Sequence, residues 1–327
     1  MRQHRIDVHR HVIPETYLRA MRQADVREPI AGVAYPRWDR DTDLAAMDRF
    51  GVQTAIVSIT APGVSFTSGQ AARRVARDTN EFLAGLVEQH QDRYGAFALI
   101  PLPDVTGAIA EAEYALDVLG LDGIGLFTNH RGTYLGDAAF EPLFAMLAER
   151  DALVYVHPAV PPASDQPDFG LPPSLYEFTF DTTRAVASLL YSGTLDRYPD
   201  LRMIFSHAGG TVPFLAQRLT YAATINPALT HRRPADLFGT LRRLYYDTAM
   251  SANPHTLAAL SSLIDPSHIL FGSDYPFMPE STTGETIDGL RAHFGPSDLA
   301  AVERDNALRL LPRVRRVLGE RDHAALG

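Results

Sequence analysis

Five polar residues end apolar runs that lie far apart in the chain, and each is of a type that binds a metal ion or moves a proton. The first run, Ile-Asp-Val-His-Arg-His, carries His9 and His11. Alternate residues of a strand share a face, so both imidazoles can address one ion while Arg10 points away. LVYVHP places His157 at its end, MIFSHAGG places His207, and ILFGSDYPF places Asp274. Singly, each has a plain reading: a chance pair on a sheet face, a core histidine satisfied by a backbone bond, an aspartate capping a helix. Jointly, strand ends that each supply a metal-type side chain are hard to credit to chance. His9, His11, His157 and Asp274 offer three imidazoles and one carboxylate to a single divalent ion. That set suits Zn²⁺, and Mn²⁺ or Fe²⁺ are compatible with it. Sequence leaves open whether His207 is a ligand or an acid–base group; an imidazole of ordinary pKa, about 6.5, is suited to moving a proton. Gly209 and Gly210 would let backbone approach a substrate, or else serve a tight turn into the next helix.

Two absences narrow the chemistry. The 327 residues contain no cysteine, which excludes disulfides, thiolate metal sites and cysteine nucleophiles. They contain no lysine either, all 30 Lys+Arg residues being arginine. That excludes a lysine Schiff base, covalently held PLP, a P-loop lysine and a carbamylated lysine bridging two metals. A net charge of −9 argues against general nucleic-acid binding. No apolar run reaches the roughly 18 residues of a membrane span. The segment MRQHRIDVHRH lacks the apolar stretch of a secretory leader, so a cytoplasmic enzyme is expected.

The elements that must position these residues alternate along the chain. Strands are expected near Ile6–Val8, Thr54–Ser58, Gly95–Leu99, Gly123–Phe127, Leu153–Val156, Met203–Phe205, Leu244–Tyr246 and Ile269–Phe271. Between them run helical patterns such as Asp43–Phe50, Ala71–His90, Gly107–Leu119, Phe140–Arg150 and Thr182–Tyr198, and Pro254 and Pro266 bracket another. Gly51 and Gly120 stand where helix C-termini favour positive φ. Strands alternating with helices favour a parallel sheet, and eight strands can close it into a (β/α)8 TIM barrel. The open doubly wound alternative lacks a GxGxxG after its first strand. One domain over residues 1–327 is expected, with long loops at about 13–41 and 158–174. The second, within HPAVPPASDQPDFGLPPS, is proline-rich. Either loop is a surface excursion or a wall over the site.

The motifs together resemble the amidohydrolase-2 family, which includes the aminocarboxymuconate-semialdehyde decarboxylase-like enzymes. The likeness rests on His9-Arg10-His11, the HP at His157, SHAGG, GSDYPF, WDRDTDLAAMDRFGV, FDTTRAVASLLYSGTLDRYPDLRMIFSHAGG and NALRLL. IPLPD, FTNHRGTYLGD and FDTTRA look most like its 6-methylsalicylate decarboxylase branch. The resemblance implies one metal, usually zinc and sometimes manganese, held at His9, His11, His157 and Asp274, with His207 in acid–base chemistry beside it. It implies a homodimer in which Arg218, eleven residues after His207, reaches the neighbour's site to hold a substrate carboxylate. It also implies a site aromatic at Phe277; Phe178 and Arg184 are further candidates. A second arginine of the semialdehyde decarboxylase, four residues before its Trp-Asp pair, is replaced by Ala34, with Arg37 nearby. That departure favours a monocarboxylate such as a salicylate over a dicarboxylate.

The expected function is therefore metal-dependent, non-oxidative decarboxylation of a small aromatic or conjugated carboxylic acid, with His207 or Asp274 delivering the proton. A metal-dependent hydrolase or hydratase acting on a lactone, ester or amide is the alternative. A non-catalytic binding protein would have lost a ligand, and all five site residues are present.

Overall fold

A computed structural model describes residues 5–27, 30, 33–162, 169–226, 229 and 233–324. Its frame is one eight-stranded sheet in which every neighbouring pair is parallel. The strands are β1 (Arg5–His11), β2 (Val52–Ser58), β3 (Tyr94–Leu99), β4 (Gly123–Phe127), β5 (Leu153–His157), β6 (Arg202–Phe205), β7 (Tyr245–Asp247) and β8 (Ile269–Leu270). They pair in chain order. The segment after β8 then runs beside β1: Val8 N–H donates to Phe271 O at 3.0 Å, Asp274 N–H to His9 O at 2.9 Å and His11 N–H to Tyr275 O at 2.8 Å. These bonds join the last strand to the first and make the sheet a barrel, as the alternating pattern leads one to expect.

The main helices are α1 (Glu15–Gln23), α2 (Arg40–Phe50), α3 (Gly69–Gln89), α4 (Val105–Glu113), α5 (Glu141–Glu149), α6 (Glu177–Ser192), α7 (Val212–Thr220), α8 (Pro234–Arg243), α9 (Pro254–Leu263), α10 (Glu280–His293) and α11 (Pro312–Ala324). Local chemistry sets several ends. The Asp39 carboxylate accepts from the Asp41 and Thr42 N–H groups at the start of α2, and Gly51 ends that helix at φ 64°. Gly120 likewise takes φ 64°.

Three sequence expectations are corrected. The stretch from Ile13 to Asp41 is not loop throughout: α1 forms there, burying Tyr17 and Met21 four residues apart on one face. The helix expected over Thr182–Tyr198 starts earlier, at Glu177, and breaks at Gly193, φ 80°, before a short turn Thr194–Arg197. The pattern over Gly107–Leu119 divides into α4 and a π-helical turn, Tyr114–Val118. Within the proline-rich segment, residues 163–168 lie outside the described residues.

Two apolar layers hold the barrel. Ile6, Val8, Ile56, Phe97, Leu153, Tyr155, Ile204 and Leu270 pack with Leu310, Leu311, Val314 and Leu318 of the C-terminal segment. A larger cluster joins the other strand faces to the surrounding helices. Strand β1 contributes to the first cluster through Ile6 and Val8, yet strict alternation would then put Arg10, not His9 and His11, on that face. A register shift between Asp7 and Arg10 resolves the conflict. Arg10 points outward as expected. It is buried, pairs with Asp43 of α2 at 2.7 Å and lies 4.1 Å over the Tyr275 ring.

Candidate metal centre

The C-terminal ends of β1 and β5 and the segment after β8 bring His9, His11, His157 and Asp274 together, with one donor atom from each within 4.8 Å of the others. All four are buried. The second nitrogen of each histidine faces an acceptor. His9 Nδ1 lies 2.8 Å from Asp247 Oδ2, His11 Nδ1 lies 3.3 Å from Ser58 O, and His157 Nδ1 lies 2.8 Å from Pro158 O. With Nδ1 protonated to serve these acceptors, each Nε2 presents a lone pair to the common centre. Asp274 Oδ1 sits 3.2 Å from both His9 Nε2 and His11 Nε2. Electron-rich atoms this close need a positive charge among them, and the donor set fits one divalent ion.

Among the protein's own charges, burial disfavours the His9 imidazolium, but Asp247 and Asp274 outweigh it and push His9 up to about 10. Burial holds His11 below its ordinary value and His157 well below it. For Asp274 burial works upward, but His9, His11 and His207 overcome it and keep the carboxyl well below the usual range. The cluster is thus two neutral imidazoles and a carboxylate arranged around one positive charge.

His207 stands beside this group. Its Nε2 is 3.5 Å from Asp274 Oδ2, and its buried Nδ1 has no partner among the described residues. Its ring centroid lies 4.8 Å from that of His9 and 5.7 Å from that of His157. Both His207 and Asp274 adopt positive φ, 53° and 59°. For residues with a Cβ this conformation costs about 1–2 kcal/mol, and here the packed segments on either side impose it. The glycines after His207 are closely packed. A Cβ on Gly209 would meet the Tyr246 ring at 2.5 Å, and one on Gly210 would meet Thr179 O at 2.1 Å.

The aromatic candidates are brought to the cluster and the arginines are not. Phe277 meets His11 edge-on at 5.4 Å, and Phe178, on the first turn of α6, meets His157 at 6.1 Å. Arg37 and Arg218 are exposed and make no hydrogen bond or ion pair to the cluster among the described residues. Arg184 lies 3.7 Å from Asp181. A cavity of about 520 Å³ opens between the segments after β2, β3, β4 and β5; its wall includes Phe127, whose ring is 6.3 Å from His157.

Asp247 is a functional residue that sequence reading missed. It is fully buried at the end of β7. It accepts from the His207 and Ala249 N–H groups, both at 3.0 Å, besides orienting His9. The signal was present: Asp247 ends the run LYY as Asp274 follows ILF.

The chain is similar to known proteins along nearly its whole length. The 6-methylsalicylic acid decarboxylase of Penicillium expansum is 37% identical over 322 residues, covering 96% of this chain and 98% of that protein. A crystal structure of an amidohydrolase II is 28% identical and superposes with a TM-score of 0.87 over 94% of this chain and 99% of its own. The 5-carboxyvanillate decarboxylase of Novosphingobium aromaticivorans, crystallised with manganese, superposes at 0.81 over 94% of this chain and 95% of its own; at 21% identity it is a likeness of fold. The family model described as amidohydrolase matches residues 6–313, and the chain therefore belongs to the amidohydrolase family.

Proposed function

We propose that this protein, working as one barrel domain, is a metal-dependent decarboxylase of a small aromatic acid of the 6-methylsalicylate type. The observation that carries the reading is the convergence of His9, His11, His157 and Asp274 on one point with His207 alongside. The extended likeness to a 6-methylsalicylic acid decarboxylase supplies the reaction. Zn²⁺ is the proposed ion, since three imidazoles and one carboxylate suit it; Mn²⁺, held by the 5-carboxyvanillate relative, is the other choice. When bound, the ion supplies positive charge that orients the substrate's oxygens and draws electrons from them.

The chain's own residues do the rest. Phe277 and Phe178 wall the site with apolar rings that can hold a flat substrate. Arg218, with Arg37 as a second candidate, supplies cationic anchoring for the carboxylate. A proton placed on the ring carbon bearing the carboxylate interrupts conjugation there. The carbon–carbon bond then breaks, its electron pair returns to the ring, and CO2 leaves. Asp274 is held ionised, so the proton enters through His207, whose Nε2 is in reach of Asp274 Oδ2.

Arg218 can serve this role from a partner subunit. It lies on α7 among side chains that a monomer leaves bare: Phe214 is 83% exposed and Ile225 79%, with Tyr221 between them in sequence. We therefore place a homodimer interface there. The test of the reaction is turnover of 6-methylsalicylate by protein loaded with Zn²⁺ or Mn²⁺. One CO2 and one 3-methylphenol per substrate are expected, with no water consumed. Absence of CO2, with hydrolysis of an ester or lactone instead, would overturn the reading.

A further inference from the structure

Two segments that the proposed chemistry does not use, FTNHRGTY and FDTTRA, meet in one buried hydrogen-bond network. At its centre is Asp181 of α6, fully buried. Its Oδ2 accepts from Thr128 Oγ1 and, at 2.8 Å, from Asn129 Nδ2; its Oδ1 accepts from Tyr134 O–H at 2.5 Å. Thr128 Oγ1 in turn accepts the Ala159 N–H at 2.9 Å, and Asn129 Nδ2 also reaches Val160 O at 3.2 Å. Thr128 N–H donates to His157 O at 3.0 Å.

The segment held this way, Pro158–Val160, carries the acceptor that orients a metal-type histidine. His157 Nδ1 bonds Pro158 O at 2.8 Å, so the direction of its Nε2 depends on where that carbonyl sits. The carbonyl's position depends on the Ala159 N–H bond to Thr128, and a hydroxyl that accepts there must donate its one proton elsewhere. Only an acceptor-only group satisfies Thr128, Asn129 and Tyr134 at once, and an ionised carboxylate is that group. The same helix sets Phe178 one turn before Asp181, against His157.

We propose that Asp181 is a positioning residue for the metal centre: through Thr128 and the Pro158–Val160 segment it fixes the direction in which His157 offers its Nε2. The proposal rests on reading His157 as a ligand. It is tested on the full chain by Zn²⁺ affinity, from competition with a chromophoric chelator, and by the visible spectrum of the Co²⁺-loaded protein. The variants are Asp181→Asn, which puts an amide donor where three donors already point, and Thr128→Val, which cuts the link to Ala159. Glu111→Gln is the control: Glu111 is also buried and accepts from Asn80 and Arg77, in a network that contains no ligand-bearing segment.

Asp181→Asn and Thr128→Val should each weaken Zn²⁺ binding about tenfold, the lower end for groups behind a ligand, and alter the Co²⁺ bands. Glu111→Gln should lower thermal stability but leave affinity within about twofold of the parent. Parent-like affinity and spectra in the first two variants would overturn the proposal, as would equal weakening in Glu111→Gln. Should Asp181→Asn fail to fold, Thr128→Val decides alone. A parent that binds neither ion would overturn the ligand assignment itself and the proposal with it, a result distinct from loss in the variants only.

Discussion

His9 Nε2 and His11 Nε2 lie 3.1 Å apart, and with both imidazoles neutral neither has a proton to offer the other. The first imidazole serves Asp247 with its Nδ1, and the second faces the Ser58 carbonyl and hydroxyl with its own. Two lone pairs at hydrogen-bonding distance repel unless a positive charge separates them. A proton on His9 is one solution, and a divalent ion is the other. The two are alternatives for the same position.

Metal binding should therefore expel a proton. Without metal, His9 keeps its proton at every pH below about 10. His11 and His157 are held below their ordinary values and keep only the Nδ1 proton of a neutral imidazole at neutral pH, and Asp274, held below its own, carries none. Binding to His9 Nε2 thus releases one proton, so affinity strengthens as pH rises, by about tenfold per unit between roughly pH 7 and 9. Titration calorimetry at pH 7 in two buffers of different ionisation enthalpy counts that proton. A count of zero would mean that His9 is not a ligand.

Removing a ligand should empty the site rather than merely slow the enzyme. His157→Ala and Asp274→Ala are each expected to lower metal affinity by more than about 100-fold, beyond what groups behind the ligands cost. Elemental analysis after dialysis should find well under one ion per chain, together with loss of CO2 release. Full metal content in either variant would remove that residue from the ligand set.

Asp247 is placed to orient His9, so Asp247→Asn should cost about 10- to 100-fold in metal affinity while leaving the ligands themselves intact. Because Asp247 also receives the His207 N–H, the variant should lose turnover even at saturating metal. Turnover fully restored by excess metal would confine Asp247 to His9.

Much of this site was legible because strand ends are local features. Each ligand ends an apolar run, and a period of two aims His9 and His11 together. Asp247 went unread because what marks it is a long-range contact, its bond to His9 Nδ1 across 238 positions. What was not legible depends on distant contacts. The shift in β1 that turns the histidines inward is fixed where Asp7 receives the Ser273 N–H and hydroxyl, 266 residues away. Helix α1 buries only Tyr17 and Met21 of its 9 residues, too sparse a pattern to stand out. The Asp181 network joins residues about 50 positions apart, and no spacing rule connects them.

The glycine after the SHAG turn should tolerate no side chain. Gly210 has φ 65° and ψ −123°, and an added Cβ would overlap Thr179 O of α6. Gly210→Ala should cost about 2–5 kcal/mol, combining an unfavourable backbone region with overpacking. A fall in Tm of about 3–7 °C is expected for a chain of this size. An unchanged Tm would show that α6 and this turn can separate.

Arg218 gives the sharpest test of the proposed dimer, because a residue that acts across an interface can be complemented. Light scattering should report twice the chain mass, and Phe214→Asp should halve it by charging the most exposed apolar side chain of α7. Arg218→Ala should raise KM for the acid with little change in mass, and Asp274→Ala should be inactive. If the arginine served its own subunit's site, mixing the two variants would yield no more than their separate activities. If it serves the partner's site, each mixed dimer contains one site with Asp274 intact and Arg218 supplied from the other chain. Random exchange at equal amounts makes half the dimers mixed, each with one of two sites working, so at substrate well below the raised KM about a quarter of parental activity should return. Activity that never rises above the separate variants would show that Arg218 does not act across the interface.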